Sequence, residues 1–262
     1  MPDLTPISPA ICFQDAFDSS RVPALRAVIF DLDGTLLDTL ADLAQAGNQM
    51  LLAHGLPAAP IDAYKQFVGA GALNLVCRAF AASGCPLDIS DPFLDQLAGE
   101  FAKTYDACWA EQTKPYPGIM AMLNDLADLG FELMVLSNKP DVFTRKIVQH
   151  FFADVRFTAV CGKLAGWPLK PDPALALDMC RCGGIKPGQT VLIGDSGSDM
   201  QTAFHGRFLP IGVLWGFRSA DELRQSGAAH LFHEPGQLTD WLVRHADKNL
   251  IRRQKSDPPA KI

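Results

Sequence analysis

Short, almost uninterrupted apolar runs recur along the chain at AVIF (27–30), FELMVLS (131–137), RFTAVCG (156–162), TVLIGD (190–195), FLPIGVLWG (208–216) and HLF (230–232). AVIF is too short for a helix and is bounded by turn chemistry, which predicts a buried strand, and the other runs follow it. Between them lie stretches with helical spacing: PDVFTRKIVQHF, PDPALALDMCRC, GSDMQTAFHG and SADELRQSG. Apolar strands alternating with helices predict an α/β fold, with a Rossmann-like parallel sheet covered on both faces.

One region breaks this rhythm. From 42 to 114 there is no strand pattern, but Leu40, Leu43, Ala44, Met50 and Leu51 recur at helical spacing, as do Phe93, Leu94, Leu97, Phe101 and Tyr105. The pattern predicts an all-helical domain at 42–114, inserted into an α/β core made of 25–41 and 115–246. Pro115, Pro117 and Gly118 mark a stiff return to that core. Residues 1–24 show no sustained period and read as a flexible extension. Residues 247–262 carry Lys248, Arg252, Arg253 and Lys255 and read as a flexible basic tail.

With 262 residues, 48% of them hydrophobic, the chain can bury a substantial core. A net charge of −6 gives no electrostatic case for nucleic acid. No apolar run approaches the ~20 residues that span a bilayer. The N-terminus lacks the basic start and apolar core of a signal peptide. The expectation is a cytoplasmic protein without membrane contact, a monomer or a homodimer. Seven cysteines without a CxxC pair fit reduced thiols, and Cys180 and Cys182 lack the companions of a zinc site.

The unusual polar residues fall where the strands end. Asp31 and Asp33 follow the first strand, Ser137, Asn138 and Lys139 the second, Lys170 and Pro171 the third, and Asp195 and Asp199 the fourth. In an open parallel sheet ligands bind outside the carboxyl ends of the strands, so these four clusters converge. Asp31, Asp33 and Asp195 together would repel one another unless a cation sat between them. A hard divalent ion with oxygen ligands and retained waters resolves this, and Mg²⁺ suits the description. Lys170, with Lys139 as a further candidate, adds positive charge suited to a phosphate. There is no GxxxxGK[ST], GAGALN (69–74) is not a GxGxxG fingerprint, and no Ser/His/Asp arrangement stands out. That leaves a carboxylate as nucleophile, forming an aspartyl-phosphate. Asp33, two residues on in an extended turn, can face the same way as Asp31 and serve as acid and base. In the helical insert, Gly69 and Gly71 fit a substrate-facing loop or, alternatively, a tight helix corner. Arg78 offers a planar fork for a substrate carboxylate, unless it is a surface residue.

These residues also carry a resemblance. DLDGT (31–35), the hydroxyl in LSNK (136–139), the lysine in LKPDP (169–173) and GDSGSD (194–199) resemble, in order, the four motifs of the haloacid-dehalogenase superfamily. The insert after DLDGT, with FVGAG, PYPG and WGFRS (215–219), is similar to the helical cap of its phosphoglycolate phosphatase-like branch. The resemblance implies a Mg²⁺-dependent phosphatase acting on a small phosphorylated metabolite, most simply 2-phosphoglycolate. It implies Asp31 as nucleophile and metal ligand, and Asp33 as acid/base with its carbonyl on the metal. Ser137 and Asn138 would hold the phosphoryl group, and Lys170 would pair with Asp31 and phosphate. Asp195 would ligate the metal, and Asp199 would support the metal's water shell or Lys170. A sugar phosphomutase and a silent phosphometabolite-binding regulator are the alternatives. Asp38 reads as a helix cap or first-turn acid.

Overall fold

Val28 and Phe30 turn to one face of the central strand and Ala27 and Ile29 to the other, and all four are fully buried. This strand, β1 (Ala27–Phe30), therefore needs apolar side chains on both sides, which is why its sequence shows no polar alternation. The computed structural model describes residues 24–248 and 250.

Parallel neighbours flank β1: β4 (Glu132–Pro140) pairs Met134 with Ile29, and β6 (Thr190–Gly194) pairs Leu192 with it. Outside them lie β5 (Ala159–Lys163), β7 (Leu209–Val213) and β8 (His230–Phe232). The order β5-β4-β1-β6-β7-β8 places the ends of β1, β4 and β6 side by side. Helices α5 (Ile119–Asp128), α6 (Asp141–Phe151) and α10 (Pro235–His245) bury Leu123, Ile147 and Leu238 on one face. Helices α7 (Ala174–Cys182) and α8 (Gly197–Gly206) bury Met179 and Ala203 on the other. A short α9 (Ala220–Gln225) connects β7 to β8. The structure is thus the expected parallel α/β sheet between helical layers.

The insert is built from α1 (Leu40–Ala53), α2 (Tyr64–Phe67), α3 (Ala72–Ala82) and α4 (Phe93–Cys108). The chain leaves through β2 (Leu37–Asp38) and returns through β3 (Lys114–Pro115), which pair antiparallel, Leu37 with Pro115 and Asp38 with Lys114. Asp38 accepts a hydrogen bond from the Leu40 N–H at the start of α1. Asp42, fully buried, accepts from the Gln112 N–H (2.9 Å), the Thr113 N–H (2.9 Å) and the Thr113 hydroxyl (2.7 Å), joining α1 to the returning chain.

At the other end, the Leu25 N–H donates to His245 O (2.9 Å) and the Asp247 N–H to Leu25 O (2.8 Å), and Leu250 is buried. The start of the tail expected to be flexible from 247 is therefore packed, because Asp247 bonds to Leu25 in the segment that precedes β1. Residues 1–23 of the expected extension, and 251–262 with Arg252, Arg253 and Lys255, lie outside the described residues. No helix among the described residues is long and apolar enough to cross a membrane.

Candidate active site

β1 ends by delivering Asp31, whose N–H donates to Ile193 O (2.9 Å). The chain then folds back sharply: Leu36 and Leu37 donate to Leu32 O, and Gly34 donates to Leu37 O. Gly34 adopts φ +84°, and a side chain there would collide with the Asp195 carboxylate and the Phe217 ring. The glycine of DLDGT thus makes room for an acid from another strand.

Lys170, in the loop after β5, reaches into the gap. Its Nζ lies 2.8 Å from Asp31 Oδ1, 2.7 Å from Asp199 Oδ1 and 3.0 Å from Leu136 O, so all three of its N–H donors are occupied. Burial disfavours its charge, yet Asp199 and Asp31 outweigh burial and hold the ammonium firmly protonated. The Lys170–Pro171 peptide is cis. Asp199, third in α8, uses its other oxygen in a capping box, accepting from the Ser196 N–H (3.1 Å) and hydroxyl (2.6 Å). Both its oxygens are thus engaged, which places it as the support of Lys170. Asp195 follows β6 and accepts from the Phe217 N–H at 2.7 Å.

Ligand oxygens of Asp31, Asp195 and Asp199 lie within 4.8 Å of one another, all buried. Burial, then Asp199, push Asp195 up to about 7, and the same two causes raise Asp31 well above the carboxylate range despite Lys170. Three such acids with one lysine leave negative charge uncompensated. Their hard oxygen donors fit a divalent cation, and could hold one.

Asp33 stands beside this group. Its Oδ1 accepts from the Thr39 hydroxyl (2.7 Å) and lies 3.1 Å from Lys139 Nζ. Lys139 is buried rather than on the surface, and its ammonium also donates to the Tyr105 hydroxyl of α4 (3.0 Å). Burial weakens the Lys139 charge, but Asp33 and Tyr105 more than restore it. Tyr105, in turn, is pushed up to about 12 by burial. Ser137 is buried with its Oγ accepting from the Lys139 N–H (3.2 Å). The Asn138 amide is saturated by backbone: it donates to Gly69 O (2.9 Å) and Lys170 O (3.1 Å) and accepts from the Lys170 N–H (2.8 Å). Its side chain therefore ties the Lys170 loop to the insert.

A small cavity of about 70 Å³ lies over these groups. Asp31, Asp33, Ser137, Asn138, Lys139, Lys170 and Asp195 form its polar side, while Val68, Leu75, Phe101 and Phe143 form much of the apolar side. Gly69 (φ +109°) and Gly71 (φ +86°) line it from the loop between α2 and α3. Arg78 is not brought to this cavity. Its Nη1 donates to Gln66 O (2.7 Å) at the end of α2, in a separate surface depression that it shares with Arg218 and Glu222. A different arginine is present: Arg218, in the loop after β7, lines the cavity and donates from Nη2 to Val68 O (2.9 Å). Reading along the chain missed Arg218 and Tyr105, although WGFRS itself was among the signals.

Comparison with known proteins agrees with this geometry. The model of the haloacid dehalogenase-like hydrolase family matches residues 28–206. A phosphoglycolate phosphatase of Psychrobacter arcticus is 33% identical over 224 residues, covering 84% of this chain and 96% of that protein. One from Rhodospirillum rubrum is 35% identical, covering 83% and 90%. Among solved structures, a Lactobacillus delbrueckii subsp. bulgaricus protein provisionally assigned as a phosphoglycolate phosphatase superposes with TM-score 0.75 at 29% identity, covering 84% of this chain and 98% of its own. The protein is an enzyme of the phosphoric monoester hydrolase class. With its motifs, its sheet and its relatives in agreement, the chain belongs to the haloacid dehalogenase-like hydrolase family, in the phosphoglycolate phosphatase-like branch.

Proposed function

We propose that this enzyme hydrolyses 2-phosphoglycolate in the cytoplasm, with Mg²⁺ bound at Asp31 and Asp195, and with residues 42–114 acting as a cap domain over the site. The observation that carries the reading is the placement of Asp31: one oxygen is held by a fully engaged Lys170, at the floor of a small cavity roofed by the inserted helices. The cavity admits only a small ester, well below the ~300 Å³ at which drug-sized pockets begin.

Asp31 attacks phosphorus, a P–O bond forms to its carboxylate, and the bond to the leaving oxygen breaks. Asp33 gives the leaving oxygen its proton, then takes one from the water that hydrolyses the acyl phosphate. Ser137 and Lys170 hold phosphoryl oxygens, and Asp199 holds Lys170 in place. The Mg²⁺ supplies charge neutralisation for an anionic nucleophile meeting an anionic ester. Gly69 and Gly71 let the roof's backbone approach the substrate. The roof excludes water from the acyl phosphate until the alcohol has left.

The test is phosphate release, with and without Mg²⁺, from 2-phosphoglycolate, hexose and pentose phosphates and an aryl phosphate. Metal-dependent preference for 2-phosphoglycolate is expected. Equal or better turnover of the sugar phosphates would overturn the substrate assignment, and release without a divalent ion would overturn the metal's role.

A further inference from the structure

Arg218 has a donor that the fold does not use. Its side chain is only 9% exposed, and Nη1 is buried without a hydrogen-bond partner, although Nη2 donates to Val68 O and Nε lies 3.3 Å from Glu222 Oε1. A buried N–H pair left unmade is costly, and such a group calls for an explanation. The loop presenting it is pinned to the catalytic turn. Trp215 Nε1 donates to Thr35 O (2.9 Å), Phe217 N donates to Asp195 Oδ2 (2.7 Å), and a side chain at Gly216 would collide with Gly34 O. The guanidinium is therefore held one residue from a group that touches Asp195, on the wall of the cavity that contains Asp31 and Lys170.

We infer that Arg218 is the specificity-determining residue of this site: its free Nη1 edge receives a carboxylate on the substrate, at the end away from the phosphoryl group. The inference rests on the phosphatase reading above and deepens it. A planar fork matches a carboxylate, whereas the phosphoryl group has Lys170 and the acidic metal cluster for its own neutralisation. Arg218 also reaches the roof through Val68 O, so carboxylate binding and closure of the roof share one side chain. Glu222 holds Nε from the solvent side and leaves Nη1 unengaged.

The experiment compares kcat/KM for 2-phosphoglycolate and for ethyl phosphate, which lacks the carboxylate, in the wild type, Arg218→Met and Arg218→Lys. The ratio of the two substrates is expected to fall about 10- to 100-fold in Arg218→Met, the worth of a charge-assisted hydrogen bond, through KM more than kcat. Arg218→Lys keeps the charge and the reach to Val68 but not the fork, and falls part of the way. That variant decides the matter if the methionine variant does not fold. An unchanged ratio, even with both activities reduced, would show a merely structural arginine and overturn the inference. A wild type that hydrolyses both esters equally would overturn the phosphoglycolate reading itself, and the carboxylate role with it.

Discussion

The floor and the roof of the cavity are made by different means. On the floor, nearly every polar atom of importance has two or three partners: Lys170 is held by Asp31, Asp199 and Leu136 O, and Asp199 by Lys170 and Ser196. The roof offers Val68, Gly69, Gly71, Leu75 and Phe101, and touches the floor through a few polar bonds, two of them to its backbone carbonyls at Val68 and Gly69. Strand ends and the bonds between them fix the positions of the reactive groups. On the reading proposed above the helices over it admit or reject a substrate, and among the described residues few hydrogen bonds tie them to the floor.

The sharpest way to break this division is at the floor. Asp31→Asn should lower turnover by about 10⁴-fold or more while circular dichroism shows an intact fold, since the amide keeps the shape and loses the nucleophile. Substantial remaining activity would remove Asp31 from its role.

Next comes charge balance. Chelation of divalent ions should abolish activity reversibly and expose the repulsion between the acids. Without a cation, burial and then Asp199 push Asp195 up to about 7, against about 3.9 in an unfolded chain, so the folded state is expected to hold its proton over that interval. The folded state binds more protons there, so stability falls as pH rises from about 4 to about 7, by up to about 4 kcal/mol. Urea unfolding across that range should show the slope, and Asp195→Asn should flatten it. A flat wild-type profile would mean that the cluster is not strained without its cation.

A smaller effect is expected where roof meets floor. Tyr105→Phe deprives the buried Lys139 ammonium of one acceptor and should cost about 1–2 kcal/mol in urea denaturation. Smaller still is Arg78→Ala. That residue is exposed and held at the end of α2, outside the cavity, and its loss should change kcat/KM for 2-phosphoglycolate by less than about twofold. A large loss at Arg78 would transfer carboxylate recognition to the roof and blur the division.

How much could be read along the chain follows the same line. The floor was legible because each of its groups sits in a short motif in the turn or loop that follows an apolar run, and a parallel sheet brings such positions together whatever the intervening length. The roof's helices were visible from the spacing of Leu43, Phe101 and Tyr105, but not the side chains they present to the cavity. Arg218 meets Val68 across 150 positions, and Lys139 meets Tyr105 across 34, pairings set by tertiary packing and not by any local pattern. Lys139 in particular looks ambiguous in a strand, where neighbouring positions point oppositely. Arg78 illustrates the converse. A plausible residue type at a plausible place is drawn away by two local carbonyls, Gln66 O and Phe67 O. The two-residue strands β2 and β3 carry no periodicity at all.

Those two strands have a consequence for how the molecule can be altered. Because Leu37 lies beside Pro115 and Asp38 beside Lys114, and Asp42 fastens the returning chain at Gln112 and Thr113, the chain enters and leaves the insert through one narrow socket. Helices of another shape entering there would leave the backbone of β1 and its turn as they are, so one hydrolytic engine would accept an exchanged attachment wherever the new helices still met Lys139, Asn138 and Arg218.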